Sequence, residues 1–297
     1  MEEKRVMSER IKKIYEIVRA PKIAFSVEKA SLFTEAYQKF EGDPNVIRMA
    51  KAQSYMLEHI PIYIMEGDLL AGAPASKPMC VEADFWTKGT WQKEGIESLR
   101  GEEYSITDEQ AAKMYELTEY WHKIIPEYKL YDLYDEPMWA WKKSGYLLPV
   151  NKTLEEAAGM GYACNGMAIL PEADTYQIDY AYVLNKGLQK IIDEAQEKLD
   201  QVVSIKIKTE EDIEKIYVWR AMIIINKGVI AWANRYADLA EKLAAECAVA
   251  RRKEELSEMA KICRRVPQYP AETFKEAYQF LWFLFVMISC QTTTPLG

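Results

Sequence analysis

At 297 residues, with 49% hydrophobic and 28% charged residues, the chain has an ordinary globular balance and enough length for a large core in one or two domains. A formal net charge of −8 without any basic stripe excludes a nucleic-acid surface. The five cysteines, Cys80, Cys164, Cys247, Cys263 and Cys290, are odd in number and form no CxxC pair, and "MEEKRVMSERIKKIYE" is charged throughout, so free thiols and a reducing cytoplasm are expected.

The pattern along the chain is mostly helical. Ile11, Ile14, Tyr15 and Val18 keep helical spacing, as do Leu32, Phe33, Ala36, Tyr37 and Phe40. Asp43-Pro44 reads as an N-cap followed by proline at the first helical position, and that helix must end before Pro61. "IPIYIMEGDLLAG" reads as two extended segments around a turn at Glu66-Gly67-Asp68. Residues 71–105, with breakers that include Pro74, Pro78, Gly89, Gly95 and Gly101, are expected to be irregular. Thr107 with Gln110 forms a capping box for a helix reaching about His122. Residues 126–150 have no clean period, Thr153 with Glu156 is a second capping box, and "GMGYACNGMAILPEADTYQ" is a loop.

Asp179 caps a helix through Leu199, and Thr209 to Cys263 is the clearest helical stretch, with Trp232, Tyr236, Leu239, Leu243 and Cys247 on one face. "RRVPQYP" breaks it, and a last helix begins near Ala271. Its apolar run, Phe280 to Cys290, is 11 residues, short of the roughly 20 that a membrane span needs, so it reads as a core helix. No linker, repeat or domain boundary interrupts the pattern. His59 and His122 stand far apart, match no zinc spacing and read as plain surface or helix residues.

Three stretches carry a resemblance. Residues 9–72 run from a basic helix through "TEAYQKF" and "RMAKAQSYM" to "IYIMEGDLLAG". Residues 179–199 read "DYAYVLNKGLQKIIDEAQEKL", and residues 234–283 contain "NRYADLA", "RRKEELSEMAKI" and "RRVPQYPAETFKEAYQFLWF". In this order and spacing they resemble the amino-terminal part of the glycyl radical enzymes, in the branch that joins pyruvate formate-lyase with glycerol- and choline-type lyases. Taken as bare physics, each stretch is only an amphipathic helix; the assignment rests on the resemblance.

The resemblance implies a mainly α chain forming the amino-terminal part of an α/β ten-stranded barrel, with residues 1–297 all within one such domain. It implies radical C–C cleavage or elimination on a small organic substrate, of the lyase, dehydratase, decarboxylase or formate acetyltransferase type, in anaerobic metabolism. In the family a cysteine in a C-x-E context and a glycine in an R-V-x-G-[YF] loop carry the radical, and both lie far beyond the segment matched here. The expectation is therefore a front part of a longer or split enzyme, since "QTTTPLG" stops where a G-R-x-D-Q motif would begin. No catalytic residue and no metal ligand is assigned to this chain, which binds no cofactor itself; a radical SAM activating enzyme would install the glycyl radical. The expected partners are the small substrate, that activating enzyme, the missing carboxy-terminal half or a split partner chain, and a second copy in the full enzyme, with no nucleic acid and no membrane.

By position, Cys290, Gln291, Thr292, Thr293 and Thr294 match the polar segment that lines the family's substrate cavity. The alternative is that these residues simply leave the helix and turn toward the next element. Asp174 and Thr175 stand where relatives often have Gly-His, and Ile178 replaces a proline, which argues against a glycerol-dehydratase substrate. The block "YKLYDLYDEPMWAWKKSGY" could suit an aromatic acid, or be packing or subunit contact.

Two motifs imitate the radical chemistry. Cys80-Val81-Glu82 has the letters of a thiyl cysteine with its glutamate, but follows "EGDLLAG" too closely and reads as a loop thiol. "RRVPQY" echoes the glycyl loop but has Pro267 where glycine is required. Two other functions remain open: a stand-alone helical accessory subunit without catalysis, and an independent enzyme built on Cys80 and Glu82.

Overall fold

The computed structural model describes residues 7–19, 22–83, 96, 100, 104–124 and 178–289. The capping box at Thr153, the loop after Gly159, the aromatic block, Cys164, Asp174, Thr175 and the whole of Cys290–Thr294 lie outside the described residues. The described elements are α1 (Glu9–Val18), β1 (Ile23–Ser26), α2 (Glu28–Lys39), α3 (Asn45–His59), β2 (Cys80–Glu82), β3 (Tyr104–Ser105), α4 (Asp108–Ile124), α5 (Tyr180–Val203), α6 (Glu210–Glu246), α7 (Ala250–Arg265) and α8 (Phe274–Ser289). The chain is thus mainly helical, with a small parallel sheet, and it divides into two compact units. One holds residues 1–19, 32–78 and 177–297; the other holds residues 20–31 and 79–176.

The larger unit is built around α6. Thr209 and Asp212 form a reciprocal capping box at its start, satisfying two otherwise orphaned N–H groups. Its length and composition would suffice to cross a bilayer, but here it is the central helix, packed by α3, α5 and α7. Trp232 and Tyr236 are buried as expected, whereas Leu239, Leu243 and Cys247 are only half-buried. The buried face turns instead through Ala233, Ala237, Ala240 and Ala244. Small side chains let neighbouring helices approach, and α7 fills that face with Met259, Ala260 and Cys263 in one core with Met56, Leu57, Phe280 and Phe283. The single stretch expected from Thr209 to Cys263 is two helices, because the backbone turns extended at Cys247 (φ −79°, ψ 122°) and α7 folds back on α6.

The other helix ends mostly follow local chemistry. Ser8 caps α1, and Asp179 caps α5 by accepting from Tyr182 N–H at 2.9 Å. α3 differs from expectation: Pro44 holds the cap position without a side-chain bond, and Asp43 pairs with Lys51 Nζ at 2.7 Å. Its carboxy-terminal carbonyls are closed by Arg235, which donates to Leu57 O at 2.6 Å and Ile60 O at 2.7 Å. α8 starts later than Ala271, at a capping box in which Glu276 N–H donates to Thr273 Oγ1 and Glu276 accepts from Thr273 N–H.

In the smaller unit three parallel strands lie in the order β2-β1-β3, with Ala24 opposite both Cys80 and Ser105. The sequence reading expected irregular backbone over 71–105, yet β2 and β3 fall within it. The capping box at α4 forms as expected: Thr107 N–H donates to Gln110 Oε1 at 2.9 Å and Gln110 N–H to Thr107 Oγ1 at 3.2 Å. Gln110 Nε2 also donates to Phe25 O, and Phe25, Ala111, Met114 and Leu117 form this unit's core.

Candidate functional site

The segment expected to face substrate, Cys290–Thr294, lies outside the described residues and follows α8 in sequence; what the structure describes is how α8 is held. This helix carries an apolar face, yet a glutamine sits on it: Gln279 is 2% exposed. A buried amide must find partners. Gln279 finds them in the backbone of Ala71, accepting from its N–H at 2.8 Å and donating to its C=O at 2.7 Å. One turn on, Trp282 Nε1 donates to Gly72 O at 2.9 Å, and from α6 Tyr236 OH accepts from Ala73 N–H at 3.1 Å. Three consecutive backbone residues, 71–73, are therefore held by side chains of α6 and α8.

Gly72 makes the approach possible. It has φ +110°, and a Cβ there would lie 3.3 Å from the rings of Phe283 and Trp282. Below the clamp, Trp232, Tyr236 and Phe283 pack edge-on or tilted at centroid distances of 5.3 to 6.0 Å. These contacts fix α8 against α6 and against residues 71–73.

The preceding turn is fixed by charge. Arg252 donates to Met65 O at 2.8 Å and Asp68 O at 2.7 Å, and Arg10 Nε to Gly67 O at 3.2 Å. Glu255 joins the two arginines, accepting both amino groups of Arg10 at 3.0 and 3.1 Å and Arg252 at 3.2 Å. The Arg10 hydrogen bonds, seconded by Arg252, hold the Glu255 carboxyl below the usual range. Asp68 behaves oppositely: burial raises its pKa, against the hydrogen bond from Met65 N–H and the two nearby guanidiniums. The turn expected at Glu66-Gly67-Asp68 is present, but its flanks pair with no strand.

The radical look-alikes have structural duties. Cys80 lies half-buried on β2, and Glu82 accepts from Lys29 N–H at 3.2 Å at the start of α2. Pro267 is buried, and its carbonyl accepts from Leu188 N–H at 2.9 Å. His59 ends α3, exposed and stacked on Tyr55 at 3.9 Å between ring centres, while His122 lies in α4. Among the described residues no group of three His, Cys, Asp or Glu could hold a metal ion. An open cleft of about 430 Å³ lies among Ile47, Lys51, Leu199, Tyr217, Arg220 and Ile223, but no residue of α8 or of the 66–76 segment lines it.

The resemblance points to Cys290–Thr294 as substrate-facing and gives no such role to Gln279, Trp282 or the 71–73 backbone that they hold. The signal was available: a glutamine on the inward face of an otherwise apolar helix implies a buried backbone partner.

The family model described as pyruvate formate lyase-like matches residues 3–295. The isethionate sulfite-lyase of Oleidesulfovibrio alaskensis is 29% identical over 93% of this chain and 32% of its own length. Among solved structures, the glycerol-bound B12-independent glycerol dehydratase of Clostridium butyricum superposes with a TM-score of 0.76 at 28% identity, covering 96% of this chain and 34% of that one. A glycyl radical enzyme from Archaeoglobus fulgidus gives a TM-score of 0.70 at 26% identity, over 96% of this chain and 34% of that one. The chain thus spans about a third of the length of the relatives it matches.

Proposed function

We propose, from the premise that the chain belongs to the pyruvate formate lyase-like family, that it is the amino-terminal part of a glycyl radical enzyme performing C–C cleavage or elimination on a small organic substrate. The observation that carries this reading is the match itself: nearly the whole chain aligns, in order, with one third of lyase and dehydratase relatives. The described residues include neither a C-x-E cysteine placed as the family has it nor an R-V-x-G-[YF] glycine loop. The chemistry would then be completed by polypeptide equivalent to the rest of those relatives, with an activating enzyme to generate the radical and a barrel to keep it from water and oxygen.

In this reading the chain's own contribution is to bind and orient. Cys290, Gln291, Thr292, Thr293 and Thr294 would face the substrate with a thiol, an amide and three hydroxyls, donors and acceptors suited to a small polar molecule. The clamp of Gln279 and Trp282 on residues 71–73 supports that role, because a site is only as well placed as the element carrying it. Anaerobic treatment with a radical-generating activase, followed by electron paramagnetic resonance, tests the proposal. The 297-residue chain alone should give no glycine-centred doublet, and the chain joined to the remaining family region should give one. A doublet from this chain alone, or none from the completed enzyme, would overturn it.

A further inference from the structure

Among the described residues Arg220 is the one arginine with neither a hydrogen bond nor an ion pair. Arg10, Arg251 and Arg252 meet Glu255, and Arg100, Arg264 and Arg265 meet acids of their own. Arg19 donates to Tyr15, and Arg48 and Arg235 donate to backbone carbonyls. The sequence leaves Arg220 without a local partner. The positions three and four residues from it on α6 are Ile216, Tyr217, Ile223 and Ile224, so no carboxylate is within helical reach.

This guanidinium lines the cleft of about 430 Å³ where α3, α5 and α6 meet, a volume within the range of small-molecule sites. Each helix contributes a buried apolar side chain to the lining: Ile47, Leu199 and Ile223. Tyr217 adds a phenol whose hydroxyl has no partner among the described residues. Two further charges line the cleft but cancel, because Lys51 Nζ lies 2.7 Å from Asp43 Oδ2. The surplus is the single positive charge of Arg220.

We infer that this cleft binds a small organic monoanion, its carboxylate head on Arg220 and Tyr217 and its apolar body against Ile47, Leu199 and Ile223. The charge balance selects the head group. One surplus cation neutralises one negative charge, whereas a neutral molecule leaves the guanidinium unpaired and a cation is repelled. Guanidinium also presents two parallel N–H donors that match a carboxylate. The buried aliphatic lining selects the body, since covering it removes apolar surface from water. The inference stands on this cleft and not on the function proposed above.

The probe is octanoate, titrated by isothermal calorimetry into the protein expressed from its native locus with whatever coding sequence follows it there. Octanol and octylammonium, with the same apolar body, are the comparison ligands. Octanoate should bind saturably in the micromolar to millimolar range ordinary for so small a ligand. Octanol should bind at least about tenfold more weakly, the scale of a lost charge-assisted hydrogen bond, and octylammonium should not bind. Arg220→Gln should weaken octanoate by at least about tenfold on the same ground, and Arg220→Lys, which keeps the charge but loses the fork, by less. Arg220 is exposed, so an unchanged thermal midpoint should show that both variants fold. Lys242→Gln removes an exposed charge elsewhere on α6 and should leave the affinity unchanged. No saturable binding up to about 10 mM, as when another stretch of polypeptide fills the cleft, overturns the inference. So does octanol binding as tightly as octanoate, or an equal loss in Arg220→Gln and Lys242→Gln.

Discussion

Gly187 and Gln268 are closer than any side chain at position 187 would permit: a Cβ there would lie 2.6 Å from the Gln268 carbonyl oxygen and 2.7 Å from Tyr269 Cα. Gly187 interrupts α5 with φ +71°. The interruption frees backbone groups, and the turn after α7 takes them up. Leu188 N–H donates to Pro267 O and Gln189 N–H to Gln268 O, each at 2.9 Å, and Ala271 N–H donates to Leu184 O at 3.1 Å. Local unwinding and tertiary pairing thus satisfy each other.

Gly187→Ala should therefore be among the most destabilising single-methyl changes in the chain. The positive φ alone costs about 1–2 kcal/mol for an L-residue, and the backbone overlap adds about 1–3 kcal/mol. Urea unfolding should show the loss as a fall in midpoint at unchanged slope. A shift equivalent to less than about 0.5 kcal/mol, the scale of an ordinary surface change, would refute the account.

The same region shows what a single sequence makes legible. Thr107 with Gln110, and Asp179 before Tyr180, are read correctly because a cap is a local bargain between residues three apart. The interruption at Gly187 is not, because its cause lies 81 positions away at Gln268. β1 to β3 escape because strands of two to four residues leave too short a pattern to show alternation. The α6 pattern points to Leu239 and Leu243 because leucine stands out in an apolar period and alanine does not, whereas the packing of neighbouring helices buries Ala237 and Ala240. The family was legible in word-like motifs. The expectation that Cys290–Thr294 face substrate rests on that resemblance alone, and the clamp on α8 depends on Ala71, 208 residues from Gln279.

Cys263 should resist modification while the chain is native. Burial pushes its thiol up to about 12, so almost no thiolate exists at pH 8. Iodoacetamide at that pH, with peptide mapping, should label the half-buried Cys80 and Cys247 well before Cys263. The linkage follows the same sign. A raised folded pKa leaves stability intact below the unfolded thiol value of about 8.5 and erodes it as pH rises from there toward 12. Native-state labelling of Cys263 as fast as Cys247 would contradict the placement. Cys80→Ala should leave the completed enzyme active, and loss of turnover without unfolding would promote Cys80 from a strand residue to a catalytic one.

α1 should detach in acid before the core unfolds. None of its residues is buried, and its tie to α7 is the Arg10–Glu255 pair, with Glu255 only 19% exposed in its side chain. Because Glu255 is depressed in the fold, the pair's contribution is complete above the unfolded carboxylate value of about 4.3. It is lost as pH falls from there through the lower folded value. Hydrogen exchange at pH 6 and pH 3.5 should show residues 9–18 opening selectively at the lower pH, and Arg10→Ala should produce the same opening already at pH 6. Uniform protection of α1 at both pH values would dismiss the ion pair as its anchor.

Gln279→Leu separates the clamp from mere burial. Leucine fills similar space and is more apolar, so a purely hydrophobic account of α8 predicts no loss. The structure predicts the reverse. Ala71 is fully buried, and the substitution strips partners from both its N–H and its C=O. Leaving those two groups unsatisfied should cost about 2–6 kcal/mol, at roughly 1–3 kcal/mol for each. Gln279→Glu sharpens the test. Its carboxylate can still accept from Ala71 N–H but faces the Ala71 carbonyl with negative charge. That buried acid would have a raised pKa, so the variant should be weakest at pH 7 and recover stability as pH falls and the acid becomes a donor. Denaturant midpoints across pH for wild type and both variants measure this. A stable Gln279→Leu protein, or a Gln279→Glu variant that does not regain stability on acidification, would show that the helix leading to Cys290 is held by packing alone.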